Sequence, residues 1–569
     1  MAVKSQGEPG GTVFVLGVWG VMLLGAALFV AVFGAEFPIS EDYGYVPAVT
    51  GEEPLTLGWL WSWVNEFRFP LTKLVLVGAF KVAGADFRAG LFLSVAVLGI
   101  LALGMVVAAR RLRGGTRYTD AVFPLICLNW GHHACFLWSS AFIFVFSTAV
   151  VSGLLLLIVG RRTVTTAAGL WLLPLCGPMA LAFMPALLIW VWLAAVLEWR
   201  LGERKGRVRG ALMVALTVPA MVLAALYFRG YQRPPHHSPP GGLWDVSRTL
   251  LQYLSLGFGP AAAKLWPVSG AVVPCLLVVA VVVLMRAWVA RPEERLRALG
   301  LLAFLGGTLS LAVGLGWGRS GMGEAAGFQD RYSPLAIPTL CGIYFALELY
   351  AALAVRRFVL MGMLLLATAM LWGNAEAGLK HGEEVAAESA SFRKDIGEGL
   401  PAYVVVKRHT PFLHPSQEAL ERPMAMLKRA GVGAFRFLRD NPPFREVEVP
   451  LTPSEVRLLR WENGKAEVTG VDPWISFKVA KPGYVAGIRL RYSHSNRTAT
   501  SAHFKVAWKR PGEAQYPAGQ DYSIWALPTG KGQEVTIWTC EEVGEFRIQP
   551  DNQPCEFEIS GLWLLLPSR

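Results

Sequence analysis

The chain has 569 residues, of which 54% are hydrophobic and 17% charged, and its mean hydropathy is +0.42. It is too long for one ordinary domain and too apolar for a wholly water-soluble one. Its formal net charge of +12 would suggest a nucleic-acid partner in a soluble protein, but here the basic residues must first be placed against a membrane.

A spanning helix needs about 20 apolar residues, because the hydrocarbon layer is about 30 Å thick and a helix rises about 1.5 Å per residue. In chain order the qualifying stretches are Thr12–Phe33, Ala89–Ala109, Ala121–Gly131, Cys135–Val159, Val164–Gly177, Met179–Leu197, Ala211–Phe228, Val268–Ala287, Leu299–Trp317, Leu335–Val355 and Phe358–Trp372. They predict a multi-span α-helical membrane domain over residues 1–374, with about eleven transmembrane helices. The first stretch follows one Lys and precedes no small-residue cleavage site, so it reads as a retained anchor. Pro174, Pro178 and Pro185 interrupt two later spans, which a membrane tolerates only against protein or a water-filled cavity.

Arg and Lys concentrate in alternate connections: Arg110, Arg111, Arg113 and Arg117; Arg161 and Arg162; Arg200, Arg204, Lys205, Arg207 and Arg209; Arg286, Arg291, Arg295 and Arg297; Arg356 and Arg357. By the positive-inside rule these face the cytoplasm, which predicts a cytoplasmic amino terminus and an extracytoplasmic carboxy-terminal domain. Their excess over Asp120, Glu198, Glu203, Glu293 and Glu294 accounts for the net charge, so the basicity reads as a topology signal. The opposite loops, 35–88, 229–266 and 318–334, are longer and carry acids, Arg, His and aromatic residues, which topology does not require.

Residues 375–451 read as a polar connector, partly helical. From 452 to 569 the pattern alternates, as in Ile475-Ser476-Phe477-Lys478-Val479, Ile488-Arg489-Leu490-Arg491-Tyr492, Phe504-Lys505-Val506-Ala507-Trp508 and Phe557-Glu558-Ile559. Asn463-Gly464, Lys481-Pro482-Gly483 and Pro511-Gly512 supply turn signals between the runs, predicting a soluble β-sandwich of about eight strands. Tyr516, Tyr522, Trp525 and Trp538 offer either a carbohydrate-binding platform or core packing. Cys540 and Cys555 are the only cysteines of this domain and form a disulfide candidate, the others lying in or beside spans.

Ser40-Glu41-Asp42-Tyr43 puts two carboxylates just after the first span, where a carboxylate can act as a general base or ligate a hard cation. Further on, Trp59, Trp61 and Trp63 read as an interfacial belt beside Glu66, Arg68 and Lys73, whose cations stand at the level of a lipid phosphate. Gln329-Asp330-Arg331-Tyr332 precedes a late span, and Arg331 at a helix entrance is an anion-site candidate, preceded in its loop by Arg319 and Glu324. His132 with His133, and His236 with His237, are pairs that could meet metal or substrate.

These residues resemble the GT-C membrane glycosyltransferases, in particular bacterial members of the dolichyl-phosphate-mannose and aminoarabinose transferase type. The resemblance rests on Glu41-Asp42-Tyr43, Asn65-Glu66-Phe67-Arg68, Asn129-Trp130-Gly131-His132 and Arg331-Tyr332, and extends over most of the membrane part. It implies an inverting transfer of a sugar from a polyprenyl-phosphate donor to a cell-envelope glycan, lipid or protein, at the outer face of a bacterial cytoplasmic membrane. Asp42 then matches the catalytic position, with Glu41 or Glu66 as the substitute base; Arg331, Arg68 and Lys73 would hold the donor phosphate, and Tyr332, His132 and His133 are left for the acceptor or supporting roles. Some relatives use a divalent cation, Mg or Mn, for which Glu41 and Asp42 are the available ligands. Two other classes stay open. One is a transporter or flippase of lipid-linked glycans, against which the spans look almost free of buried charge. The other is a non-catalytic envelope scaffold whose sandwich binds polysaccharide.

Overall fold

The computed structural model describes residues 8–201, 204–231, 239–495, 502–526, 529–551 and 554–568; His236 and His237 lie outside them, as does the side chain of Trp525. The chain divides into two compact units. Among the described residues the first holds 8–37, 54–231 and 239–387, and the second 38–53 and 388–568. The boundary falls inside the helix Leu353–Gly397, so the expected connector begins as a continuation of the last span.

The first unit is helical. Among the described residues eight helices are long and apolar enough to cross a membrane: Gly11–Phe33, Arg88–Arg113, Ser139–Val159, Arg204–Phe228, Val268–Ala290, Pro292–Met322, Asp330–Tyr350 and Leu353–Gly397. The remaining three expected spans take broken forms. The stretch at 121–131 is a short helix Val122–Cys127 followed by a 3₁₀ turn at Trp130–His132, where the Asn129 side chain accepts from the Gly131 amide. The next is Thr163–Gly169 and Leu173–Cys176, stopped by Gly177 at φ 112°, a value that only glycine adopts without strain. The third resumes as Pro178–Leu181 and continues as Met184–Leu201. Leu173, Cys176 and Ala180 are fully buried, so these interruptions are shielded by protein.

The helix Asp330–Tyr350 is enclosed by its neighbours, with 94% of its apolar window buried. Small residues permit this: a Cβ on Gly342 would stand 2.8 Å from the Leu305 side chain. Its two ends carry the polar chemistry of the unit. At the carboxy-terminal end Tyr344 donates to Asp120, Arg113 pairs with Asp120 and with Glu348 (3.2 Å), and Glu348 also receives Arg117 (3.2 Å) and Arg356 (3.5 Å). Asp120 is fully buried and the Glu348 side chain is 2% exposed. The expectation of spans almost free of buried charge is therefore corrected. Acids spaced far apart in sequence converge on arginines that had read as topology markers alone.

The second unit gathers residues 38–53 with the helices Ala402–His409 and Glu418–Arg429 and a sheet. The acidic loop is tied to the second of these helices by Arg429 with Glu52 and Arg422 with Glu53, each at 2.7 Å. Nine strands among the described residues are β1 (Phe444–Glu448), β2 (Glu455–Arg457), β3 (Leu459–Glu462), β4 (Lys465–Val468), β5 (Trp474–Ser495), β6 (Ala502–Lys509), β7 (Asp521–Ala526), β8 (Gln533–Gln549) and β9 (Glu556–Pro567). They join in one antiparallel half-barrel in the order β3-β4-β9-β5-β8-β6-β7, with β1 on β9 and β2 on β5. The sheet starts at Phe444, ahead of the expected boundary, because β1 pairs with the last strand.

Asn463-Gly464 makes the β3–β4 hairpin, with φ of 48° and 86°. Lys481-Pro482-Gly483 does not end a strand. It forms a register break inside the 22-residue β5, whose two expected strand runs are one bent element. The core packs Phe477 on Phe546 (5.6 Å) and Tyr492 on Phe504 (4.7 Å), with Trp508 fully buried.

Candidate functional site

In the first unit the start of the buried helix Asp330–Tyr350 presents Arg331. Its guanidinium lies 5.5 Å from the Tyr332 ring and 6.0 Å from the Trp138 ring, and makes no hydrogen bond or ion pair with any described residue. Arg331 Nε, the Tyr332 hydroxyl and Trp138 Nε1 are each buried without a partner. Buried donors left open are costly unless an acceptor reaches them. An anionic oxygen is the acceptor that a guanidinium suits best.

Local bonding fixes this corner. Cys135 Sγ donates to the Arg331 carbonyl (3.6 Å), and Thr148 holds the Pro334 carbonyl (2.9 Å). His132 is fully engaged: Nε2 donates to the Ile126 carbonyl and Nδ1 accepts from Ser333, both at 2.8 Å. It is a brace between the broken third span and the buried helix, with no ring nitrogen left for an acceptor. His133 meets Asp330 at 3.1 Å through Nε2 and the Trp130 carbonyl at 3.3 Å through Nδ1, and its ring packs 5.0 Å from His381. Asp330 and His381 had not been singled out from the sequence; Asp330 stands beside Arg331, and only the fold brings His381 in from the long last helix.

Two other cations of the first unit have different work. The three ammonium hydrogens of Lys73 go to the Trp59 carbonyl (3.1 Å) and to the carbonyl and hydroxyl of Ser62 (2.9 Å each), and burial pushes its pKa down to about 8. Arg68 donates to the Leu226 (2.8 Å) and Arg229 (3.0 Å) carbonyls at the end of the helix Arg204–Phe228, stacked 4.1 Å from the Trp63 ring. These bonds give both a structural role beside the expected phosphate-binding one, and Arg68 Nε stays buried without a partner. Glu66 is drawn into an ion pair with Arg319 at 2.6 Å, both side chains largely buried.

The acidic motif lies in the second unit. Ser40, at φ 54°, opens the 3₁₀ turn Ser40–Tyr45, and its hydroxyl donates to Glu41 (2.5 Å). Asp42 is 2% exposed and accepts from the Ile39 amide at 3.3 Å. The Tyr43 hydroxyl is held well above the ordinary phenol range, by burial first and then by the Asp42 charge. The Ser40 amide bonds the Leu413 carbonyl (2.5 Å), bringing His414 to this turn. His414 accepts from the Ser416 amide on Nδ1 (2.9 Å); burial lowers its pKa against the opposing pull of Glu41. A lone His between Pro411 and Pro415 carries no sequence signal of this neighbourhood. Among the described residues no group of three or more His, Cys, Asp and Glu is arranged to hold a metal ion, so the Glu41–Asp42 pair gains no third ligand of that kind.

For the aromatic residues of the sheet the structure takes the packing alternative, and the disulfide candidate is corrected. Trp538 and Tyr522 are buried, the first against Tyr403 (5.3 Å) and the second donating to Glu418 (3.0 Å), while Tyr516 lies beneath Arg547 (4.3 Å). These rings pack the unit and form no open sugar platform. Cys540 and Cys555 are free thiols. Cys540 is level with Ala486 on β5 and Cys555 with the Ser495 end, which is ~30 Å apart along a strand and far beyond a disulfide.

No family model matches the sequence, and no curated protein matches it.

Proposed function

We propose that the protein is a GT-C-type glycosyltransferase that moves a sugar from a polyprenyl-phosphate donor to an envelope glycan, lipid or protein. The observation that carries this reading is the Arg331 corner, where an arginine with a buried, unpartnered Nε lies at the start of an enclosed helix near two rings whose own donors are unpartnered. There Arg331, Tyr332 and Trp138 would take the donor phosphate and stabilise the charge that develops on it as the glycosidic bond breaks. Asp42, a buried carboxylate, is the base proposed to accept the proton of the attacking hydroxyl, so that direct displacement inverts the sugar carbon. No step is assigned to a metal. In the same reading the chain has about eleven spans in a bacterial cytoplasmic membrane, a cytoplasmic amino terminus, and an outer sheet unit of sandwich type.

Purified protein in lipid should transfer sugar from a polyprenyl-phosphate donor. Asp42→Asn should lower kcat at least a thousandfold with little change in donor KM, and full activity would remove Asp42 from the role of base. Arg331→Ala should raise donor KM and lower kcat/KM about a hundredfold, and unchanged donor dependence would remove the phosphate assignment.

One observation favours a second reading, a flippase of lipid-linked glycans. The buried Arg113, Asp120 and Glu348 network is of the kind that marks transport pathways in membranes. Movement of a fluorescent polyprenyl-linked sugar across proteoliposomes, without cleavage of its phosphate bond, would select that reading over transfer.

A further inference from the structure

The helices Met184–Leu201 and Arg204–Phe228 form a hairpin in which backbone meets backbone at two glycines. A Cβ on Gly206 would stand 2.9 Å from the Glu198 carbonyl, and one on Gly210 would stand 2.7 Å from that of Ala195. Trp192 Nε1 further ties the pair to Thr217 at 3.0 Å. Beside this seam runs an apolar groove of about 570 Å³, lined chiefly by Ala195, Trp199, Ala211, Val214 and Ala215 and ended by Arg200.

Arg207 is one turn from Ala211 on the same helix face, so a second cation flanks the same end of the groove. Arg200, Arg204, Lys205 and Arg207 are exposed and make no ion pair with a described residue, and only Arg209 reaches Glu198, at 3.8 Å. A topology signal needs the charge alone. It does not need a seam of small residues with an apolar groove beside it that ends on one of those cations.

We propose that this groove is a binding site for an anionic diacyl phospholipid, its phosphodiester held by Arg200 and Arg207 and one acyl chain lying along Ala211, Val214 and Ala215. Basic pockets between membrane helices select anionic headgroups in this way, and the groove has the size of an ordinary ligand site. Trp199 lines the groove next to Arg200, and an indole ring suits the boundary between headgroup and acyl chain. The proposal is independent of the glycosyltransferase reading, since it uses none of the residues assigned there.

The test is native mass spectrometry of the full-length protein released from nanodiscs of equal phosphatidylglycerol and phosphatidylcholine. The wild type should retain phosphatidylglycerol at least tenfold over phosphatidylcholine. Arg200→Gln with Arg207→Gln should abolish that preference, and Ala215→Trp, which fills the groove without changing charge, should remove the bound lipid. Ala211→Leu provides a second filling variant if Ala215→Trp does not keep the wild-type thermal midpoint. Equal retention of both lipids by the wild type overturns the proposal. So does a filled groove that still holds phosphatidylglycerol, since the headgroup would then be bound by the basic turn alone. Co-purified polyprenyl phosphate released by the same variants would assign the groove to that lipid and overturn the diacyl assignment.

Discussion

At the scale of single residues, charge is a poor guide to duty and hydrogen-bond inventory a better one. Arg331, Arg68 and Lys73 are all cationic and partly or wholly buried, yet Lys73 places all three of its donors, Arg68 places two and leaves Nε open, and Arg331 places none on a described residue. Lys73→Met should accordingly cost ~1–3 kcal/mol of stability, through three acceptors left without their donor, and should leave donor KM unchanged. A thermal unfolding midpoint and a donor titration on the same preparation separate these effects; a raised KM in a fully stable variant would restore the phosphate role. The cysteines follow the same logic. Burial pushes the Cys540 and Cys555 thiols up to about 12, which leaves on the order of a thousandfold less thiolate near neutral pH than an unburied thiol would have. Maleimide should label both only on unfolding, without prior reductant, and native labelling should stay slow from pH 7 to pH 9. A mass shift of two hydrogens on reduction would instead reveal a disulfide.

At the scale of elements, the enclosed helix Asp330–Tyr350 joins two polar centres. Tyr332 stands at its start and Glu348 near its end, a rise of ~24 Å, with every residue between them buried. The arginines at the Glu348 end cannot be judged one at a time, because Glu348 serves three of them. Glu348→Gln should therefore destabilise the membrane unit by ~3–5 kcal/mol, the cost of leaving buried guanidinium charge without its partner. Glu348→Asp should recover part of it. Thermal unfolding in detergent at constant lipid content measures both, and a Glu348→Gln variant of wild-type stability would show that the network carries no structural load. The bend in β5 has a local cause of the same kind: Pro482 has no amide to give the ladder, and the chain bulges there and resumes pairing at Gly483.

At the scale of the molecule, two units of different chemistry share one chain, and their make-up does not follow sequence order. The segment 38–53 sits between two helices of the first unit in sequence but folds with the carboxy-terminal unit, held by Arg422 and Arg429. The net charge of +12 also divides unexpectedly. Arg113, Arg117 and Arg356 are taken up by buried acids, and Arg161 and Arg297 by Glu294, so part of the basic excess that reads as topology is architecture. The exposed Arg200, Arg204, Lys205 and Arg207, near the facing ends of Met184–Leu201 and Arg204–Phe228, are among the cations still available to a lipid headgroup.

What the sequence determined by itself is the class of the protein: long apolar helices, a polar connection, and an alternating β region, each a property of local composition and period. The place of Arg331 at a helix entrance was legible too, because the apolar run that follows it marks where the helix begins. Tertiary structure alone decided which candidates have free donors, for a hydrogen bond from Lys73 to Ser62 or from Arg68 to Leu226 leaves no periodic trace. It also decided that His414 and the acidic turn are neighbours, that Asp120 and Glu348 share Arg113, and that Cys540 on β8 and Cys555 ahead of β9 lie far apart along β5. Sequence spacing limits which residues can meet only over a turn of helix or a pair of strands. Beyond that range the packing of the elements makes the choice.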